Sequence, residues 1–193
     1  MDSKLTHTNE LDELEVAEEY VCPIEEMINH IKVNNDDLTI ISQNICSIYS
    51  NLDDFLTTLT RLQTKVDIII LTECKLNPCK PIPQICNYTG HYTTKHVNKC
   101  DGVVVYVKHC LVNDTTEIIL NGASCLQIRI DNITILGIYR SPSKINASGF
   151  IDSLDKHLGT ISSANNIVIT GDININLILK DEEHPQVSLN RTN

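Results

Sequence analysis

From residue 38 onwards, some stretches of the chain have apolar residues in the short runs typical of strands, and others have them at the spacing of a helix. Apolar runs predict strands at 38–44 and 66–71. Between them, apolar residues at helical spacing predict a helix that opens with Ser50 or Asn51 as its N-cap. The run at 66–71 is continuous and β-branched, which is typical of a strand covered on both faces. If the two strands are parallel, Asn44 and Glu73 meet at the carboxyl edge of one sheet.

The middle of the chain is rich in β-branched residues and predicts a meander of antiparallel strands. A helix is then predicted at 147–158, followed by a short buried strand at the start of 167–176 that Gly171 ends. Asp131 and Asn132 predict a tight hairpin turn. The strands predicted in the middle cover 88–94, 102–107, 115–120, 124–130 and 133–139.

Charge divides the chain into three parts. Residues 1–22 are acidic and predict a disordered tail, 23–37 predict an amphipathic helix and a linker, and 38–193 predict the folded domain. Residues 1–37 carry 11 Asp and Glu against 2 Lys and Arg, whereas the remainder carries 14 against 13. The domain therefore lacks the broad basic surface of a strong nucleic-acid binder, so a polyanionic substrate would need a metal ion.

The sequence also indicates where in the cell the protein is located. It contains no apolar run of 18 residues that would cross a membrane, and the first residues form no apolar segment of a secretion signal. We therefore expect an intracellular protein, nuclear or cytoplasmic, that has no membrane partner. Its eight cysteines should then be mostly reduced, and Cys46, Cys74 and Cys125 are predicted to be small core residues.

Polar residues stand at or just beyond the ends of four predicted strands. Glu73 is the natural ligand for a hard cation such as Mg²⁺. Asp172 can accept a proton from an attacking water, Asn44 and Asn174 can orient that water or a phosphate, and Tyr139 can donate to a phosphoryl oxygen. In an extended chain, Asp172 and Asn174 would project from the same face. Each residue also has a structural explanation, such as a turn at 171–174 or a solvated strand end at Glu73.

The order of these residues resembles a known family. The motifs are similar to those of the endonuclease/exonuclease/phosphatase superfamily, and within it to the endonuclease domain of insect non-LTR retrotransposons of the jockey type. They are Ser-Gln-Asn44, Ile-Leu-Thr-Glu73, Asp-Gly102-Val-Val-Val-Tyr, Gly-Ile-Tyr139-Arg-Ser-Pro and Thr-Gly-Asp172-Ile-Asn174.

The resemblance implies an α/β (α+β) fold, a four-layered sandwich of two packed sheets with a phosphodiesterase site at one edge. It implies Mg²⁺, or Mn²⁺ in its place, bound by Glu73 with Asn44 beside it, and no small-molecule cofactor. Asp172 and Asn174 would handle the water and the phosphate, and Tyr139 would contact the phosphate. The implied partner is DNA, which retrotransposon members nick.

The resemblance is incomplete at its C-terminal end. The family has a late aspartate and a Ser/Asp-His pair downstream, whereas this sequence ends at Asn193 and none of its seven histidines lies in a matching context. We therefore expect the last strands to be missing and the domain to be inactive or weakly active. Two alternatives stay open: a non-catalytic interaction module or functionless remnant of a mobile element, and a phosphatase of the same superfamily.

Overall fold

The computed structural model describes residues 37–62, 65–95, 101–143 and 147–175. The predicted acidic tail at 1–22 lies outside these ranges. The predicted helix and linker at 23–37 also lie outside them, except for Asp37. The described residues belong to one unit that covers Val33–Asn193. None of their helices is long and apolar enough to cross a membrane.

The described part of the chain contains eight strands and two helices, which follow the predicted order. The first strand and the first helix are β1 (Ile40–Asn44) and α1 (Ile48–Leu62). The strands of the middle are β2 (Ile68–Thr72), β3 (Tyr88–Tyr92), β4 (Val104–Lys108), β5 (Asp114–Leu120), β6 (Ala123–Ile130) and β7 (Ile133–Arg140). The last elements are α2 (Ser148–Leu158) and β8 (Asn166–Asp172).

The strands form two mixed sheets of four strands each. The first has the order β1-β2-β4-β3, in which β1 and β2 are parallel and the other pairs are antiparallel. The second has the order β5-β6-β7-β8, in which only β7 and β8 are parallel. The predicted antiparallel meander is therefore divided, with β3 and β4 in one sheet and β5 to β7 in the other.

Three apolar clusters separate four layers. Leu52 of α1 belongs to the cluster on the outer face of the first sheet. Ile70 and Ile128 belong to the cluster between the sheets. Leu136 and Phe150 belong to the cluster between the second sheet and α2. The layers run helix, sheet, sheet, helix, which confirms the predicted four-layered sandwich.

Two elements differ from the sequence-based prediction. Helix α1 begins at Ile48, so Asn51 is not its cap; the Asn51 side chain instead donates to the Ile45 carbonyl at 2.8 Å. Strand β8 was predicted to be buried, but it is the outer strand of its sheet within the described residues. Ile167 and Ile169 on β8 are 41% and 46% exposed. Gly171 lies inside β8 and does not end it.

A histidine joins α2 to the second sheet. His157 Nε2 lies 3.0 Å from the amide of Gln127 on β6. When that amide donates its nitrogen to Nε2, its oxygen accepts from Arg129 Nη2 at 3.0 Å, so this orientation satisfies both neighbours. Burial lowers the pKa of His157, and the nearby Arg129 guanidinium lowers it further. The folded protein therefore favours the neutral form of the His157 imidazole.

This histidine should make stability depend on pH in a defined window. Because its folded pKa lies below the unfolded value of about 6.5, the unfolded state binds the proton more readily and stability falls as pH drops through 6.5. We expect the urea midpoint of the wild-type chain to fall from pH 7.5 to pH 5.5 by more than that of His157→Gln. Parallel pH profiles for the two chains would contradict this assignment.

Candidate functional site

Three predicted site residues meet where the carboxyl ends of β1, β2 and β8 approach one another. The parallel pairing of β1 and β2 places Asn44 beside the residue that follows Thr72, and Asn44 Nδ2 donates to Glu73 Oε2 at 3.0 Å. The same nitrogen donates to Asp172 Oδ2 at 2.8 Å, across a sequence separation of 128 residues. One amide thus joins a carboxylate of each sheet.

The orientation of the Asn44 amide is fixed from its other side. The backbone N–H of Cys46 donates to Asn44 Oδ1 at 3.1 Å. The oxygen is therefore occupied, and the nitrogen must face the two carboxylates. In this arrangement Asn44 positions Glu73 and Asp172, while its role as a metal ligand stays a prediction.

Glu73 stands in a loop that backbone hydrogen bonds hold in place. Its φ is 52°, a left-handed conformation that non-glycine residues rarely adopt. On its two sides, Thr72 O accepts from Ile45 N at 3.0 Å and Cys74 N donates to Gly102 O at 3.1 Å. The loop after β2 is thereby tied both to the loop after β1 and to the segment that precedes β4.

Residues with a left-handed backbone conformation are concentrated around this site. Seven non-glycine residues of the described ranges have positive φ. Two of them are the candidate residues Glu73 and Asn174, and three more, Cys46, Ser47 and Lys75, lie within a few residues of Asn44 or Glu73. Each such conformation costs about 1–3 kcal/mol and persists only where the surroundings enforce it. Strain of this kind is common at functional sites, which supports the assignment of this edge.

Two neighbours of Glu73 were not among the predicted site residues. Lys75 Nζ lies 3.8 Å from Glu73 Oε1 and 3.3 Å from Cys46 Sγ. Cys46 was predicted to be a core residue but is exposed, whereas Cys74 and Cys125 are buried as predicted. Lys75 follows Glu73 by two residues, so its place in the loop after β2 was the only signal that could have indicated it.

The loop after β8 turns sharply instead of continuing as an extended chain. Asn174 has a φ of 46°, so the prediction that Asp172 and Asn174 share a face of an extended segment is wrong. Asn174 Nδ2 donates to the Arg140 carbonyl at 2.9 Å, and Arg140 Nη1 donates to Asn174 O at 3.0 Å and to Ile173 O at 3.4 Å. Arg140, which is 2% exposed, thus anchors this loop to β7.

Gly171 allows β8 to lie close to the backbone of β7. Its φ is 129°, and a Cβ built on it would overlap the Ile138 carbonyl oxygen of the paired strand. A glycine in a strand often marks a place where a ligand or another backbone approaches closely. The close approach is that of the neighbouring strand, and it places Asp172 one residue later at the carboxyl edge.

Asn44, Asp172 and Asn174 border an open groove of about 520 Å³ between the ends of β1 and β8, whereas Glu73 is not among its lining residues. Tyr139 lies elsewhere: it is 2% exposed and packs in the apolar cluster between the sheets. None of the histidines that the structure describes lines the groove. The lining residues are Ser42, Gln43, Asn44, Thr170, Gly171, Asp172, Ile173, Asn174 and Ile175.

The donor set of this edge suits a hard divalent cation. Within the described ranges, no three His, Cys, Asp or Glu side chains are grouped closely enough to hold a metal by themselves. Two carboxylates nevertheless converge on one amide nitrogen, and Mg²⁺ usually takes one or two carboxylates and completes its shell with water and substrate oxygens. The residues present therefore fit Mg²⁺ or Mn²⁺, with Glu73 as the anionic donor and the Asp172 carboxylate beside it.

Comparison with known proteins identifies the fold. The chain is similar to the Xenopus laevis APE2 catalytic domain, with 18% identity over 70% of this chain and 58% of that one and a TM-score of 0.50. It is also similar to the endonuclease domain of TRAS1, a telomere-specific non-LTR retrotransposon, with 14% identity over 72% of this chain and 62% of that one and a TM-score of 0.52. The chain has the endonuclease/exonuclease/phosphatase fold.

Likeness at this level of identity establishes the fold of the chain and leaves its activity to be tested. The chain spans less than two thirds of the length of either solved structure. No model of a protein family matches its sequence, and no curated protein matches it. The predicted fold class and the predicted resemblance to a retrotransposon endonuclease domain are nevertheless confirmed at the level of the fold.

Proposed function

We propose that this chain is a divalent-metal-dependent phosphodiesterase domain of the endonuclease type, derived from a retrotransposon, that acts on DNA with little or no turnover. The observation that carries the proposal is the Asn44 amide, which holds Glu73 of one sheet and Asp172 of the other within hydrogen-bonding distance of one nitrogen. A surface turn would have no need to bring carboxylates from two sheets to one amide nitrogen.

Glu73 would hold the cation, with Asn44 beside it. A bound Mg²⁺ or Mn²⁺ would neutralise charge on the phosphate and polarise its oxygens. Lys75, whose ammonium group lies near the other oxygen of Glu73, adds a fixed positive charge on the same side. Together these charges compensate for the nearly neutral surface of the domain, so that a phosphodiester can approach two carboxylates.

Asp172 would act as the general base. Its carboxylate is half-buried and borders the groove, and one of its oxygens is held by Asn44. The other oxygen can accept a proton from a water that attacks the phosphorus atom. Asn174, which is exposed in the same groove, would orient this water through its side-chain oxygen. It would donate to a phosphoryl oxygen through Nδ2 once that nitrogen releases the Arg140 carbonyl. Tyr139 would contact the phosphate only after a rearrangement that exposes its hydroxyl.

The proposed low turnover has a chemical reason. Hydrolysis of a phosphodiester needs a donor that stabilises charge on the phosphate and a proton for the leaving oxygen, and a histidine commonly supplies these. No histidine of the described residues borders the groove. Loss of one such donor typically lowers the rate about 10²–10³-fold.

DNA is favoured over a phosphomonoester substrate by two solved structures that share the fold, one of which is an endonuclease domain and the other the catalytic domain of APE2. The groove is also open to solvent, which leaves room for a large substrate. Phosphatase activity of the same site is the alternative, and it predicts release of inorganic phosphate from a small phosphomonoester.

A plasmid-nicking experiment tests the proposal. We expect the chain to convert supercoiled to nicked plasmid in Mg²⁺ at least about 100-fold more slowly than the TRAS1 endonuclease domain under the same conditions. The residual nicking should stop in EDTA and in Glu73→Gln. Asp114→Asn, which removes an exposed carboxylate that lies outside the groove, is the matched control and should nick like the wild type.

Two results would contradict the proposal. Nicking that is as fast in Glu73→Gln as in the wild type would show that this edge does not carry the activity. Release of phosphate from a phosphomonoester, without any nicking of DNA, would assign the fold to a phosphatase instead.

A further inference from the structure

A second groove lies at the same edge of the first sheet as Glu73. Strand β3 is antiparallel to β4, and β4 is antiparallel to β2, so β3 and β2 point in the same direction. Thr93 and Thr94, which follow β3, therefore lie at the edge where Glu73 follows β2. We name this cavity the tyrosine groove; its wall includes Tyr49, Leu76, Pro78, Lys80, Tyr92 and Thr94.

The loop after β2 forms one wall and is held there by Tyr49. The Tyr49 hydroxyl donates to the Lys80 carbonyl at 3.1 Å and accepts from Asn77 N at 3.4 Å. The Lys80 ammonium group lies 5.6 Å from the centre of the Tyr49 ring, within the range of a cation–π contact. These contacts place an aromatic face and a positive charge side by side.

The opposite wall is anchored to the second sheet. Glu117 on β5 accepts from Thr94 Oγ1 at 2.7 Å through one oxygen, and from Lys95 N at 2.9 Å through the other. These bonds fix the segment that follows β3. Tyr92, the last residue of β3, is nevertheless 49% exposed. An exposed aromatic ring on a fixed segment is a preformed contact surface.

The size and chemistry of the tyrosine groove indicate the kind of ligand. Its volume is about 220 Å³, below the ~300–1,000 Å³ of pockets that enclose a drug-sized molecule. A single planar group would fill it. Aromatic faces stack on nucleobases, and an ammonium group pairs with phosphate. Lys75 and Lys80 together place two ammonium groups on the loop that leads from Glu73 to this groove.

We propose that the tyrosine groove binds one unpaired nucleotide of the DNA strand, with its base against Tyr92 and its phosphate near Lys80. The inference rests on the proposed function, because the loop that begins at Glu73 also forms one wall of the tyrosine groove. It adds to that function a preference for DNA in which an unpaired base lies beside the phosphate that binds in the groove between β1 and β8.

Binding of a fluorescein-labelled single-stranded oligonucleotide, followed by anisotropy in EDTA, tests this proposal. Stacking of one base is worth about 1–3 kcal/mol, so Tyr92→Ala should weaken binding about fivefold or more. Tyr92→Phe keeps the ring and should bind like the wild type. Lys80→Met should also weaken binding, and it should reduce the slope of log affinity against log salt by about 0.7, as expected for one lost phosphate contact on a single strand.

Ile151→Ala is the matched control, since it truncates a side chain that is 51% exposed on α2, outside the tyrosine groove. Equal affinities of the wild type and Tyr92→Ala, with circular dichroism showing that both are folded, would overturn the proposal. Absence of oligonucleotide binding by the wild type would overturn it as well. Because EDTA removes the cation, the result does not depend on catalysis: a chain that fails to nick DNA can still confirm the tyrosine groove.

Discussion

Gly171→Ala should lower the free energy of unfolding by about 3 kcal/mol or more. An alanine at this position would take a left-handed backbone at a cost of about 1–3 kcal/mol, and its Cβ would also overlap the Ile138 carbonyl oxygen. The overlapping group is backbone, so no rotamer change relieves it, and β8 would have to separate from β7. Urea unfolding followed by circular dichroism measures the loss.

A second glycine supplies the control for this experiment. Gly159, which ends α2, has a φ of −62°, and the nearest atoms to a Cβ built on it are carbonyl oxygens at 3.6 Å. Gly159→Ala should therefore be neutral or stabilise the fold by about 0.4–1 kcal/mol, because it restricts the unfolded chain. Equal urea midpoints for Gly171→Ala and Gly159→Ala would show that β8 does not need its glycine.

The first half of the site could be predicted from local sequence. A continuous β-branched run at 66–71, a helix pattern before it and an apolar run before that specify a unit with two parallel strands. The observed register pairs Asn44 with Thr72, so Asn44 and Glu73 meet as predicted. Local periodicity suffices here because all of the elements lie within one short stretch of chain.

The second half of the site depends on contacts that periodicity does not encode. Asp172 reaches Asn44 because β8 of one sheet lies next to β1 of the other. The local pattern of apolar and polar residues does not predict how two sheets pack against each other. The family resemblance, with its ordered motifs, supplied that expectation. The same limit explains the middle of the chain, where the pattern predicted antiparallel strands but not the change of sheet between β4 and β5.

Burial was the least predictable property of single residues. The apolar run at Ile167 and Ile169 has the composition of a core strand, yet the number of strands beside β8 decides how much of it is covered. Cys46 follows an apolar residue but sits in a left-handed turn that directs it outwards. Arg140, a charged residue beside Tyr139, is buried while its guanidinium donates to two backbone carbonyl oxygens of the 173–174 loop.

The second large effect concerns metal binding. Glu73→Gln keeps the size of the side chain but removes the anionic oxygen that a hard cation requires. Changes in residues that merely support a metal ligand already cost about 10–100-fold in affinity. We therefore expect Glu73→Gln to lower the affinity for Mn²⁺ by at least about 100-fold, and Asp172→Asn to lower it by about tenfold or more. Asp114→Asn removes the same charge elsewhere and should bind Mn²⁺ like the wild type.

The measurement that tests the central claim most directly is a calorimetric titration of Mn²⁺ into the wild-type chain, Glu73→Gln and Asp114→Asn. The claim that Glu73 holds a divalent cation beside Asp172 predicts one binding event in the wild type and in Asp114→Asn, and its loss in Glu73→Gln. A folded wild-type chain that binds no Mn²⁺, or a Glu73→Gln chain that binds it with unchanged affinity, would contradict the claim.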